Sequence, residues 1–266
     1  VFRTEGLATG KKLVTFLYAH KKELDGIAAK TSRHIRLTDV VVKGIGKLVF
    51  VRLTFDTSEA MGMNMVTLAT SAIASYVTQK TGARLVSLAG NYDSDKKPSW
   101  INFIRGRGWE VRAEATIPAG ILQDTLKTTA KELYDVWLAK CMIGSAMTGS
   151  MGFNAHFANI IAALFLATGQ DPAHVVEGSL GITTAEVLDS DLYISVFLPD
   201  LMVGTVGGGT GLATQKEALA IIGAKNTEEF ARVVGAAALA GELSLLASLA
   251  EGTLAKSHKR LARAKT

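Results

Sequence analysis

Residues 35–55 read IRLTDVVVKGIGKLVFVRLTF, two runs of β-branched and aromatic residues parted by the turn Lys43-Gly44-Ile45-Gly46-Lys47. Ile35–Val42 and Leu48–Phe55 have strand composition, and the glycines between them predict a hairpin. Upstream, Leu13, Phe16, Leu17, Leu24 and Ile27 recur at helical spacing, so Thr9–Lys30 reads as a helix ending near Thr31-Ser32-Arg33-His34. Downstream, a long helix is expected from Met61 to about Gln79. Lys80-Thr81-Gly82 stops it, and Arg84–Leu88 resumes as a strand. Helix, two strands, helix and strand make an α+β unit of ferredoxin-like content.

Beyond Gly90, Trp100–Ile104 and Trp109–Ile117 predict a second hairpin around Gly106-Arg107-Gly108, followed by an amphipathic helix over Ile121–Lys140. From Gly144 the chain is rich in Gly, Ala, Ser and Met, which allows close helix packing. Asn154–Thr168 reads as a buried helix ending at Gly169, Tyr193–Leu198 as a strand, Gly204–Gly211 as a glycine-rich loop, and Thr214–His258 as two helices. Val233–Ala250 is apolar enough to suggest a membrane span. Glu242 inside it, with Gly235 and Gly241, favours a buried helix instead.

The 266 residues, 48% of them hydrophobic, suffice for one or two domains with a large core. Cys141 is the single cysteine, so an intrachain disulfide, a CxxC redox motif and a cysteine zinc site are excluded. No metal is expected, and a reducing, cytoplasmic compartment is. Val1–Gly10 lacks the apolar core of a secretory signal, and the start looks internal, as if an upstream part of the fold were missing. The net charge of +5 includes a basic C-terminal cluster, but no basic groove with interleaved aromatics is visible and the strands lack paired stacking aromatics. Nucleic acid is therefore not expected as a partner; a phosphorylated small molecule would use the same positive surplus.

Ser94-Asp95-Lys96-Lys97-Pro98 packs a carboxylate and two ammonium groups into a proline-stopped turn, a pattern suited to an anionic carbonyl compound. Glu59-Ala60-Met61-Gly62-Met63-Asn64-Met65 joins a predicted strand to a predicted helix, whose N-terminal N–H groups would attract a phosphate or polar cofactor group. Gly204–Thr210 could cradle a ligand through its main chain, although it has neither GxGxxG spacing nor a Walker lysine. Asp171 would cap the helix that follows it, and His258 sits near the basic terminus. Together these residues offer an oxyanion-stabilising ammonium (Lys96), a carboxyl that tunes it (Asp171) and a general acid (His258).

In this order, Glu59–Met65, Gly90-Asn91-Tyr92, Asp95-Lys96-Lys97-Pro98, Ile143-Gly144-Ser145-Ala146-Met147, Asn154-Ala155-His156, Gly169-Gln170-Asp171, Gly204–Thr210 and Lys256-Ser257-His258 resemble the catalytic domain of the 3-hydroxy-3-methylglutaryl-CoA (HMG-CoA) reductases, class I type, in an archaeal or prokaryotic form. The resemblance implies a small ferredoxin-like NADP(H)-binding domain over residues 1–87, inserted in a larger, mostly helical CoA- and HMG-binding domain over residues 88–266. It also implies NADPH as reductant, HMG-CoA as substrate, mevalonate as product, and a homo-oligomer with the active site at the subunit interface. Lys96, Asp171 and His258 match catalytic positions; Asp95, Lys97, Lys140, His156 and Asn159 match substrate-binding ones. For the cofactor the matching positions are Ser32, Arg33, Glu59, Met61, Gly62, Met63, Asn64, Gly207, Gly208 and Gly209. Glu59 stands where the family usually has Asp, and Ala89 where it has a substrate-contacting Ser. The family's catalytic glutamate precedes the region where this chain begins, so the chain by itself is expected to be inactive. A non-catalytic CoA- or nucleotide-binding fragment or subunit is the alternative.

Overall fold

The computed structural model describes residues 1–252. The chain divides into two compact units, Val1–Asp95 and a second beginning at Lys96.

The first unit is β1 (Phe2–Arg3), α1 (Leu7–Ala19), α2 (Lys21–Ala29), β2 (Arg36–Ile45), β3 (Leu48–Asp56), α3 (Met63–Thr81) and β4 (Arg84–Leu85). Its strands pair antiparallel in the order β2-β3-β1-β4. The predicted hairpin is present, with Ile45 opposite Leu48 and Gly46 at φ +58 in the turn between them. The helix expected over Thr9–Lys30 is broken at His20, whose φ of −106° and ψ of 19° are non-helical. Leu13, Leu17 and Leu24 turn to the core and pack with Val40, Val49, Ile73 and Val77. The strand expected over Arg84–Leu88 is shorter, and covers Arg84–Leu85.

The second unit contains α4 (Trp100–Arg105), β5 (Trp109–Ile117), α5 (Ala119–Asp124), α6 (Ala130–Trp137), a π-helical stretch (Leu138–Gly144), α7 (Ser145–Thr148), β6 (Gly152–Phe153) and α8 (Phe157–Thr168). A 3₁₀ turn (Pro172–His174), α9 (Val175–Gly178), β7 (Gly181–Leu188), β8 (Asp191–Leu201), a second 3₁₀ turn (Gly208–Gly211), α10 (Ala213–Ile222) and α11 (Thr227–Ala250) follow. The sheet order is β5-β8-β7-β6, with β6 and β7 parallel and the other pairs antiparallel.

Here the structure corrects the expected second hairpin. Trp100–Arg105 is a helix whose N-cap, Ser99, accepts the Ile101 N–H, and β5 pairs with the distant β8. The helix expected over Ile121–Lys140 is interrupted. Thr129 and Glu132 form a reciprocal capping box that starts α6 afresh, and the run then widens into the π-helical stretch. The unit is thus less purely helical than expected, because β7 completes a four-stranded sheet.

α11 is long and apolar enough to cross a membrane by composition. In this fold it packs as a core helix: Phe230, Val234, Ala238 and Leu246 join Val111, Ile194, Val196 and Phe157 in the core. Cys141 is in the same core, where burial, then the nearby Glu242 charge, pushes its thiol up to about 12.

Candidate active site

Lys96 stands at the start of the second unit with φ +54, a left-handed backbone uncommon for a residue bearing a side chain. Its Nζ lies 2.9 Å from Oδ2 of Asp171, both side chains being partly exposed. Asp171 arrives there by an independent route. Gly169, at φ +72, ends α8, and Asp171 caps the Pro172–His174 turn, its Oδ1 accepting the Ala173 N–H at 3.0 Å. Partial burial pushes the Asp171 carboxyl up, but the hydrogen bond and charge of Lys96, the Ala173 N–H and His174 outweigh it. The net shift is below the ordinary 3.8. The pair therefore stands as ammonium and carboxylate.

The glycine-rich loop is tied to this point. The Gln170 carboxamide donates to the Gly204 carbonyl at 3.0 Å and accepts the Gly204 N–H at 2.9 Å. Gly169 and Gly209 meet backbone to backbone, so that a Cβ on Gly169 would lie 2.4 Å from the Gly209 carbonyl carbon. Gly207 and Gly208 are exposed and Gly209 is half-buried.

A cleft of about 980 Å³ in the second unit is lined by Pro98, Lys140, Ser145, Asn154, His156 and Val176, among others. It brings together Lys140 and His156, two of the expected substrate residues. Asn159 lies beside them: its amide is 3.3 Å from His156 Nδ1. The His156 Nε2 donates to the Gly241 carbonyl at 2.7 Å, so Nδ1 is the acceptor from Asn159 and both ring nitrogens are engaged within the chain. Glu242, fully buried in α11, holds the N-terminus of α8 by accepting the Ala155 and His156 N–H groups at 2.7 Å each and the Thr183 hydroxyl at 2.6 Å. Pro98 brings the wall of this cleft within two residues of Lys96, although neither Lys96 nor Asp171 lines it. Lys97 is exposed, and Asp95 closes the first unit half-buried.

In the first unit, Gly62 forms the N-cap of α3 at φ +89, and a Cβ there would lie 2.4 Å from the Thr57 side chain. Only glycine fits, and the N-cap itself has no side chain to cover the first-turn N–H groups. Ser32 reaches this helix end through its hydroxyl, 3.4 Å from the Met65 sulfur, with the exposed Arg33 next to it. Glu59, Met61, Met63 and Asn64 flank Gly62 on the same connection and helix start. An anionic cofactor group fits this end, because its first-turn backbone N–H groups have no N-cap side chain over them; Arg33, next to Ser32 in sequence, has its Nε on His34 Nε2 at 2.9 Å. His258 lies outside the described residues.

Sequence reading missed the groups beneath Lys96. Glu177 of α9 is fully buried, accepts the Lys96 backbone N–H at 2.7 Å, and is paired with Arg107 and His174. In sequence Val175-Val176-Glu177-Gly178 has no feature that marks an interior acid.

The hydroxymethylglutaryl-coenzyme A reductase family model matches residues 1–263. The chain belongs to this family. It is 47% identical over 99% of its length to the 3-hydroxy-3-methylglutaryl-coenzyme A reductase of Methanothermobacter thermautotrophicus, covering 67% of that protein. To the enzyme of Haloferax volcanii it is 45% identical over 99% of the chain and 67% of the relative, and to that of Aeropyrum pernix 46% over 98% and 64%. The chain thus spans about two thirds of the length of these relatives. Among solved structures, the class II reductase of Streptococcus pneumoniae bound to NADPH in open conformations superposes with a TM-score of 0.70 at 20% identity, over 93% of this chain and 69% of that one. That likeness speaks for the fold. The much higher identity to the archaeal reductases agrees with the class I resemblance of the ordered motifs.

Proposed function

We propose that the protein carrying this chain reduces HMG-CoA to mevalonate and CoA by two successive hydride transfers from NADPH. The Lys96–Asp171 ion pair carries the reading: an ammonium held by a carboxylate, next to a glycine loop and close in sequence to a cleft bearing Lys140 and His156.

The first unit acts as a ferredoxin-like NADP(H)-binding domain. Its element order, a β-α-β-β-α-β plan with the first helix broken into α1 and α2 at His20, and its β2-β3-β1-β4 sheet support this. The α3 N-terminus at Gly62–Asn64 would hold the diphosphate, and Ser32 and Arg33 would take the additional phosphate that distinguishes NADPH from NADH. Residues 88–266 form the large domain, whose Gly207–Gly209 loop would offer main-chain N–H groups to the cofactor. NADPH supplies a hydride in each step.

The Lys96 ammonium receives the charge that develops on the thioester oxygen when the carbonyl carbon accepts the first hydride, giving a hemithioacetal oxyanion. Asp171 keeps that ammonium charged and aimed. Collapse of the oxyanion breaks the C–S bond, and the departing CoA thiolate takes a proton from His258. The resulting aldehyde keeps its oxygen on Lys96, accepts the second hydride at carbon, and gains a proton on oxygen to become the alcohol. Lys97 and Lys140 suit the free carboxylate of the substrate, while Asp95, His156 and Asn159 shape its binding. A homo-oligomer completes the site.

Mevalonate formation by the full-length protein, followed with NADPH and with NADH, tests this function. The expected result is turnover with a preference for NADPH; no mevalonate with either nucleotide overturns it.

A further inference from the structure

Beneath Lys96 is a carboxylate that the reaction above does not use. Both oxygens of Glu177 are occupied: Oε1 by the Lys96 backbone N–H at 2.7 Å and by the Arg107 guanidinium, Oε2 by Nδ1 of His174. His174 is also fully buried, and its Nε2 stands 3.8 Å from Asp171 Oδ2, the same oxygen that Lys96 Nζ reaches at 2.9 Å. One buried acid therefore accepts the backbone N–H of Lys96 directly, and the imidazole it holds stands beside the carboxylate partner of Lys96, beyond hydrogen-bond distance of it.

The backbone at Lys96 gives this contact its weight. A left-handed, non-glycine residue is strained and persists only where its surroundings hold it. The N–H bond to Glu177 is such a restraint, 81 residues away in sequence. A neutral acceptor could take that N–H, but a carboxylate also balances the Arg107 cation, whose side chain is only 12% exposed. Arg107 is delivered by the turn between α4 and β5, so three separate segments converge on Glu177.

We propose that Glu177 is a positioning residue for the reductase site: it sets the Lys96 backbone, with His174 held next to Asp171, so that the ammonium points at the developing oxyanion. The proposal rests on the assigned role of Lys96 for its catalytic consequence, and on geometry alone for its structural one.

The test uses the full-length protein with ¹³C-labelled lysine Cε, the Lys96 signal being identified by its loss in Lys96→Arg. In Glu177→Gln the Lys96 signal is expected to shift, while kcat for HMG-CoA and for supplied mevaldehyde both fall about 10- to 100-fold. KM for HMG-CoA should change less than about threefold, and NADPH affinity, measured by fluorescence titration, should stay within about twofold. An unmoved Lys96 signal with kcat near wild type overturns the proposal. Should Glu177→Gln fail to fold because the Arg107 guanidinium loses this carboxylate, Arg107→Met/Glu177→Gln removes both charges, and the same readouts decide. A shifted Lys96 signal in a protein whose wild type makes no mevalonate would refute the reductase function and leave the positioning role of Glu177 standing.

Discussion

Lys96 and Asp171 form a 2.9 Å ion pair although one sits in the turn before α4 and the other in the turn after α8. The pair joins a partly exposed lysine to the C-terminal end of α8, and on the proposed mechanism Lys96→Met removes the group that takes up charge in both reductions. Reduction of HMG-CoA and of supplied mevaldehyde should each fall by at least about 100- to 1000-fold. Substrate affinity, measured by calorimetry, should change little. A Met variant retaining either reduction would remove Lys96 from the mechanism.

Asp171 links the same pair to pH. Its carboxyl titrates below the ordinary 3.8, so the folded state binds the proton less readily than the unfolded chain. The resulting stabilisation is complete above that ordinary value and is lost as pH falls through the lower, folded one. Asp171→Asn should therefore lower stability by a constant amount at neutral pH, and the gap to wild type should close on the acid side. Urea midpoints measured from pH 7 down to about pH 3 check the sign.

Gln170 closes a two-way amide clamp on Gly204. Gln170→Leu keeps the bulk but leaves both main-chain groups of the buried Gly204 without that partner, at a cost of about 1–3 kcal/mol. The glycine loop should loosen with it. A lower urea midpoint and a raised KM for NADPH are expected, and an unchanged NADPH KM would separate this loop from cofactor binding.

Glu242 organises the other side of the cleft. Glu242→Leu deprives the Ala155 N–H, the His156 N–H and the Thr183 hydroxyl of their common acceptor, and should destabilise by about 3 kcal/mol or more. The amides of residues 155 and 156 should lose protection in hydrogen exchange ahead of the rest of α8.

Much of the architecture is local and could be read from sequence. Gly46 in its turn, Gly82 and Gly169 ending helices, and the apolar spacing of Leu13, Leu17 and Leu24 all act within a few residues, where periodicity and capping operate. Glu242 in an otherwise apolar stretch marks α11 as a buried helix rather than a membrane span, but its partners Ala155, His156 and Thr183 are not legible there. Trp100–Ile104 was misread because a short apolar run suits strand or helix equally, and Ser99 as N-cap decides the matter only once the chain turns there. The order of family motifs likewise placed Lys96 and Asp171 in one chemistry before any distance was known.

The sequence by itself determined the hairpin of the first unit and the main helices, because each depends on neighbours along the chain. Only the tertiary structure decided that β5 pairs with β8, that Gln170 clamps Gly204, and that Glu177 is an interior hub under Lys96. Pairing partners and the burial of a charge depend on which distant segments meet, and no local period records that.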